Sequence, residues 1–406
     1  IQTLASYKAF FAADVRFMIN IQDKSKCCGC KACGQVCPKQ CITFHTDEEG
    51  FWYPSVDSEM CVNCGLCEKV CPVLHQYAAR KPLSTVAAIN PDDNVRASSS
   101  SGGVFTLLAE KVIEQGGVVF GVAFEKDWTV SIKGAETIEA LANFRGSKYI
   151  QADAGESFKI CKQYLEEGRL VLFSGTPCQI SSLKHFLRND YENLITIDVV
   201  CHGVPSPGVW KLYLAEVTEA GQKAIRDIKF RDKRKGWRKF NFAIEYSKAD
   251  REYVMVSNYD KNIFMRAFLN DLILRPSCYD CPAKGGRGHA DITLADFWGA
   301  EHFVTAIDDD RGISLVLLNT QKGNDLLNLC CTSPIVVEYD EVCKYNTAIY
   351  KSCSPHPKRM KFFTDFANGC NVNDLIAKTL KPSSRQQVHQ LMTNMKIVIK
   401  RILQGG

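Results

Sequence analysis

The sequence predicts an α+β, mixed α/β protein in two parts, a small cysteine-rich module followed by a larger α/β body. Three observations predict it. Two four-cysteine runs of identical spacing lie close together near the start of the chain. Beyond residue 84, short β-branched runs alternate with helix-patterned segments across glycine-rich turns. The 406 residues are 46% hydrophobic and 23% charged, an ordinary globular composition with room for two or three domains.

The first run is Cys27-x2-Cys30-x2-Cys33-x3-Cys37-Pro38, and the second is Cys61-x2-Cys64-x2-Cys67-x3-Cys71-Pro72. This is the spacing of the bacterial-type di-cluster ferredoxin, in which each run gives three thiolates to one [4Fe–4S] cluster and a fourth to the other. A short loop wraps three ligands around one face of a cubane. The longer step, closed by proline, turns the chain away towards the neighbouring cluster. The first cluster is therefore expected on Cys27, Cys30, Cys33 and Cys71, and the second on Cys61, Cys64, Cys67 and Cys37. CxxC pairs also build zinc sites, but two complete runs with matching prolines argue for iron.

Twenty cysteines in a chain this long read as thiolate ligands in a reducing, cytoplasmic compartment, not as a secreted disulfide scaffold. The net charge is +5, and no long basic run dominates, so nucleic acid is not an expected partner. No apolar run reaches the length of a membrane span. The chain begins at Ile1, and residues 1–17 lack a signal-peptide cleavage pattern. Met18, just ahead of the first cysteine run, is the expected natural start.

The module is expected over 18–75. Between the cysteine runs, residues 42–44 and 51–54 flank the acidic turn Asp47-Glu48-Glu49-Gly50 and predict a hairpin. Residues 76–84 read as a polar linker. The first part of the body, 85–160, opens with a buried strand at 86–89. The loop Ser98-Ser99-Ser100-Ser101-Gly102-Gly103 follows. A helix comes next, its inner face marked by Val104, Leu107, Leu108 and Val112, and Gly116-Gly117 ends it ahead of a strand at 118–122. The second part, 161–380, has a strand at 170–173, the turn Gly175-Thr176-Pro177-Cys178 and a helix through 187. A strand at 194–200 runs into Cys201-His202-Gly203, and further strands are expected at 291–297 and 313–318. Segment 381–406 is patterned as a basic amphipathic helix, packed on the body or facing a partner or membrane surface.

Several features carry chemistry. The loop Ser99, Ser100, Ser101, Gly102 and Gly103 opens a helix, where backbone N–H groups and the dipole favour an anion; an N-capped turn is the alternative. Cys178, Cys201, Cys278 and Cys281 make one more four-thiolate set suited to iron–sulfur chemistry. Zinc, or a metal on the Cys278/Cys281 pair alone, are the alternatives. The eight other cysteines (28, 41, 161, 330, 331, 343, 353 and 370) share no ligand spacing and are expected to be buried or incidental thiols. The basic stretch 229–239, which contains Trp237, reads either as a solvated hairpin tip or as a surface for an anionic substrate or acidic redox partner. Trp237 itself suits a planar ring or the core. Asp291 and Asp296 reach a cofactor or cap a turn. His202 hydrogen-bonds a cofactor, donates a proton or is structural.

Taken in order, SSSGGVF (99–105), GSKYIQAD (146–153), SGTPCQI (174–180), VVCHGVPSP (199–207), FRDKRKGW (230–237), CYDCPAKGGRG (278–288) and ADITLADFWG (290–299) resemble the coenzyme F420 hydrogenase/dehydrogenase beta-subunit family. The resemblance spans about residues 85–300. It implies a flavin-binding body that holds FAD and an iron–sulfur cluster. It supports a third [4Fe–4S] cluster on Cys178, Cys201, Cys278 and Cys281, and FAD contacts from the 99–103 loop and the Lys148 region. Gly175 and Thr176 join these as expected cofactor contacts. The family's substrates differ widely, so the substrate does not carry over. No hydrogenase metal-site signature is present, so hydrogen activation would need another subunit.

The expected function is an iron–sulfur flavoprotein oxidoreductase. It would exchange hydride between FAD and a deazaflavin coenzyme or another small-molecule donor or acceptor. Single electrons would pass through the clusters to or from ferredoxin or another redox subunit. The cofactor performs the hydride step, so no catalytic side chain is assigned beyond His202 as a weak signal. The alternative is a non-catalytic electron-transfer subunit of a larger redox complex.

Overall fold

The computed structural model describes residues 18–382, apart from residues 250 and 332. The expectations for residues 1–17 and, but for its first two residues, the 381–406 helix fall outside the described residues.

The two cysteine loops are conformational copies. Gly29 and Lys31 flank Cys30 with φ of 69° and 62°, and Asn63 and Gly65 flank Cys64 with φ of 55° and 69°. A left-handed residue on each side of the middle cysteine curls the chain around one centre. Each loop then enters a short helix, α1 (Ala32–Val36) in the first. The expected hairpin intervenes, with β1 (Ile42–Thr46) antiparallel to β2 (Trp52–Val56), and α2 (Leu66–Lys69) completes the second loop.

The hairpin's acidic tip is a plug in the body. Phe51 and Tyr53 are buried in the body's aromatic core with Trp210, Phe264 and Phe363. Glu49 takes a bidentate ion pair from Arg359 at 2.9 and 2.5 Å, and Ser206 Oγ donates to its carbonyl. Gly50 and Gly208 touch backbone to backbone. A Cβ on Gly50 would lie 2.6 Å from Gly208 Cα. The 76–84 linker is likewise pinned. The Tyr77 ring is sandwiched between His185 at 4.5 Å and His289 at 4.2 Å, and Arg80 Nη2 donates to the Ala290 carbonyl.

The body begins with β3 (Ser84–Ala88), α3 (Asp93–Ser98) and α4 (Val104–Glu114). Helix α3 was not expected from periodicity, being too short; its signal is Asp92, which caps Asn94 N and Val95 N. Next come β4 (Val118–Phe124), β5 (Val130–Ala135), α5 (Ser157–Glu166), β6 (Val171–Gly175), α6 (Pro177–Leu187), β7 (Leu194–Val199) and α7 (Pro207–Val217). An antiparallel sheet follows, β8 (Ala224–Asp232), β9 (Asn241–Lys248) and β10 (Arg251–Asn258), then α8 (Ile263–Leu269). The chain returns through β11 (Ile292–Asp296), β12 (Ser314–Leu318), α9 (Gln321–Cys330), β13 (Ile335–Val336), α10 (Tyr339–Val342), α11 (Arg359–Ala367) and α12 (Val372–Thr379).

The main sheet runs β13-β3-β12-β11-β7-β6-β4-β5. Strands β4, β6, β7 and β11 are parallel. Strand β12 is antiparallel to both β11 and β3, so β3 points the same way as the parallel set. The C-terminal ends of β3, β11, β7 and β6 therefore line one edge, where ligands of open α/β sheets bind. The 99–103 loop, Asp296 to Trp298, Cys201 and Cys178 all stand there. Among the described residues no helix is long and apolar enough to cross a membrane.

Glu49→Ala strands the Arg359 guanidinium, which is only 10% exposed, at a cost of about 3 kcal/mol. If the ion pair holds the plug in place, proteolysis at exposed sites within 76–84 rises roughly 100-fold. An unchanged cleavage rate would assign the docking to the aromatic core alone.

Candidate functional site

The thiols of the module fall into two groups. Cys37 lines one cavity together with Cys61, Cys64 and Cys67 of the other run, and with Cys41. Cys33 interacts with Cys27, Cys30 and Cys71. The fourth cysteine of each run thus stands with the other run, the exchange that the spacing predicts. Backbone amides aim at the sulfurs, Ile19 N at Cys67 Sγ (3.3 Å) and Asn63 N at Cys61 Sγ (3.4 Å). Such donors stabilise a thiolate and tune a bound cluster.

Four more thiols meet at the sheet edge. Cys178 follows β6 and Cys201 follows β7, while Cys278 and Cys281 come from the turn at Pro276–Asp280 and the residue after it. Cys278 interacts with Cys201, Cys281 and Cys178. Val204 N points at Cys278 Sγ at 3.4 Å. Burial pushes the Cys201 thiol up to about 12 and that of Cys281 to about 11, so iron binding must displace protons here. Among the described residues, no group of three or more His, Cys, Asp or Glu has the geometry to hold a single metal ion. All twenty cysteines are free of disulfides, so the three sets remain available as thiolates.

Cys28 and Cys41, expected to be buried or incidental, are buried but not remote from these sets. The Cys28 thiol hydrogen-bonds Cys178 of the third set and Cys30 of the first. That bond holds Cys178 below the ordinary thiol range and Cys30 down at about 6. Cys41 Sγ lies 3.4 Å from Cys37 Sγ. Cys161, in contrast, is a core thiol in an apolar cluster. Neither Cys28 nor Cys41 fits the CxxC pattern, and only their adjacency to it in sequence hints at their position.

The 99–103 loop is tied down by its own chain. Ser99 Oγ donates to the Val95 carbonyl and Ser101 Oγ to that of Ile313, each at 2.7 Å. Ser100 Oγ lies 2.8 Å from Ser147 Oγ and accepts from Ser147 N. A Cβ on Gly102 would lie 2.6 Å from Ser314 N and 2.7 Å from the Ala88 carbonyl, and Gly103 has φ of 82°. The glycines answer to packing and backbone conformation, and Gly102→Val would dislodge the loop whether or not a ligand binds. Gly103 brings no side-chain cap to α4, so the helix offers its first-turn amides to an anion.

The basic stretch divides: Lys229, Arg234, Lys235 and Lys239 are exposed, whereas Arg231 and Lys233 reach the serine loop. Lys233 Nζ donates to the carbonyls of Arg96, Ser101 and Arg311 at 2.6, 2.9 and 2.8 Å. Arg238 pairs with Asp308 and Glu301. Arg231 pairs with Asp296 at 2.8 Å and lies 5.5 Å from the Trp298 ring. Trp237 is buried and stacks on the partly exposed Trp298 at 4.8 Å. Arg231 Nε and Trp237 Nε1 are buried without a hydrogen-bond partner. The partly exposed Trp298 ring beside the Arg231 guanidinium is a candidate surface for a planar ligand. Asp291 is committed elsewhere; it accepts from Thr196 and Thr320 between strands.

Lys148 Nζ donates to the carbonyls of Arg145 and Gly146, which leaves one of its three N–H groups for an anion. Burial lowers its pKa to about 8. Gly175 and Thr176 stand beside the third thiol set: Thr176 Oγ1 lies 3.2 Å from Cys178 Sγ and completes a capping box with Gln179. They stand four strands from the 99–103 loop, roughly 19 Å at the usual strand spacing. His202 pairs with Asp271 at 2.6 Å and meets Phe268 edge-on.

Segment 146–153 joins the two regions. Ser147 binds Ser100, and the Tyr149 hydroxyl accepts from Arg231 at 3.4 Å while its ring stacks on Phe268 at 4.7 Å. Gln151 donates to the carbonyls of Cys28 and Gly29, and Asp153 pairs with Lys31 at 2.6 Å. One extended segment thus runs from the serine loop to the first cysteine run. Sequence reasoning missed Gln151 and the buried Arg275 and Lys284, although all three lie in or beside the quoted motifs.

Family models match most of the described chain. The N-terminal model of the coenzyme F420 hydrogenase/dehydrogenase beta-subunit family matches residues 85–158, and the C-terminal model of the same family matches 168–341. A 4Fe-4S dicluster domain matches 26–74. No curated protein matches the sequence. Among solved structures, a chain of the xenon-derivatised F420-reducing [NiFe] hydrogenase complex from Methanosarcina barkeri is similar at 15% identity. The similarity covers 74% of this chain and 92% of that one, with a TM-score of 0.41.

Cys278→Ser is expected to remove about a third of the bound iron, since one of three cubanes would be lost. Iron analysis of the anaerobically loaded variant tests this, and an unchanged content would reject the third site.

Proposed function

Because the chain belongs to the coenzyme F420 hydrogenase/dehydrogenase beta-subunit family and carries a 4Fe-4S dicluster domain, we propose that it is an iron–sulfur flavoprotein oxidoreductase. It takes hydride from, or gives hydride to, a deazaflavin coenzyme or another organic substrate. Electrons pass singly between that site and ferredoxin or a partner subunit. The observation that carries this reading is the contact series from Trp298 through Arg231, Tyr149, Phe268 and His202 to Cys201 of the third thiol set, and on through Cys28 to the first.

FAD, when bound, supplies the exchange between hydride and single electrons. The chain's own residues bind and orient. The first turn of α4 and the free N–H of Lys148 face the anionic part of the ligand, and Trp298 offers a flat apolar face. Asp296 fixes the Arg231 guanidinium beside Trp298. Tyr149, Phe230 and Phe268 pack against one another and keep water out of the space between Trp298 and the thiols. His202 Nε2 stands 2.6 Å from Asp271 Oδ1 at the inner edge of that layer. Of the twelve proposed ligands only Cys64 is exposed, which makes the second cluster the port for the external carrier.

Anaerobic purification with iron, sulfide and flavin quantified per chain tests the reading. About twelve iron and one FAD are expected for three [4Fe–4S] clusters and a complete flavoenzyme. About eight iron without flavin would overturn it in favour of a two-cluster relay subunit whose active site lies on a partner. A pH series gives a second test. The Lys148 ammonium is populated below about 8, so flavin affinity is expected to fall as pH rises through that value, and Lys148→Met to remove the dependence. A wild-type affinity that stays flat across this range would take Lys148 out of the flavin site.

A further inference from the structure

We propose that Arg275 is the shared counter-cation of the first and third clusters and holds their reduction potentials above that of the second. The inference rests on the three-cluster reading above. Arg275 is 0% exposed. Its Nε donates to the Cys27 carbonyl at 2.7 Å, Nη1 to Gln151 Oε1 at 3.1 Å and Nη2 to the Trp52 carbonyl at 2.9 Å. Nη2 also lies 3.5 Å from Cys27 Sγ, and the guanidinium covers the Tyr53 ring at 4.4 Å.

These partners are all neutral, and only the Cys27 sulfur becomes anionic, as a thiolate on a cluster. Among the described residues no carboxylate pairs with Arg275, in contrast to Arg231 and Arg359. Guanidinium does not deprotonate in proteins, and a fully buried cation requires an anion. The anionic groups around it are sulfurs. Arg275 interacts electrostatically with Cys27, Cys28 and Cys278, and with Cys30 and Cys178. These belong to, or lie between, the first and third sets, and none belongs to the second. A four-iron cluster on four thiolates is anionic and becomes more so on reduction. A fixed cation at this distance in a low-dielectric interior therefore favours the reduced form. Gly29 makes the room: a Cβ there would lie 2.8 Å from Arg275 Nη1 and 2.3 Å from Gln151 Nε2. An electron that enters at the exposed second cluster is thus drawn inward.

The test is an EPR-monitored redox titration of the anaerobically loaded protein, with the second cluster's signal identified by its change in Cys64→Ser. In the wild type the second cluster is expected to be reduced last. In Arg275→Gln the midpoint potentials of the other two shift downward while that of the second stays in place, and Arg275→Lys, which keeps the charge, restores them. Unmoved potentials in Arg275→Gln, or a lysine variant that behaves like the glutamine one, would leave Arg275 as a docking residue only. If Arg275→Gln loads no iron, the wild-type order decides, and a second cluster reduced first overturns the proposal. Iron content near eight in the wild type would instead mark failure of the three-cluster reading itself.

Discussion

The seating of the hairpin tip in the body is the constraint on which the other arrangements depend. Gly50 and Gly208 approach so closely that neither tolerates a side chain. The Glu49–Arg359 pair and the buried Phe51 and Tyr53 fix the same contact in charge and in area. With the hairpin seated, the Cys27 loop is carried against Arg275 and Gln151, and Cys28 meets Cys178. Two groups of thiols that come from separate parts of the chain become neighbours through a plug that contains no cysteine.

The sheet does the complementary work. Its parallel strands deliver Cys178, Cys201 and Asp296 to one edge, and β3, reversed twice through β12 and β11, delivers the serine loop to the same edge. Arg231 and Lys233 then reach that loop. They act less as a lure for distant anions than as internal fasteners: Lys233 alone gathers three carbonyls from three segments.

Much of this was legible beforehand, for identifiable reasons. The cysteine runs, the hairpin and the central strands follow from spacing and period, which are local. The grouping of Cys178, Cys201, Cys278 and Cys281 was readable because two of them end strands and two share a CxxC. Other features lay out of reach because they depend on who packs against whom. The roles of Arg275, Gln151 and Cys28 arise only when residues more than a hundred positions apart meet. The serines read as ligand donors, yet their hydroxyls serve the loop itself. The basic stretch read as surface because nothing in its composition reveals that Asp296, Asp308 and three carbonyls wait for it.

The sandwich of Tyr77 between two imidazoles has a kinetic meaning. A tether this firmly gripped denies the cluster module the swing of a mobile shuttle domain. Internal transfer then proceeds across fixed gaps, so its rate is set by tunnelling distance and driving force rather than by diffusion of a domain, and thickening the solvent with glycerol would leave it unchanged. On the proposed reading, only the encounter with an outside carrier at Cys64 is left to respond to viscosity.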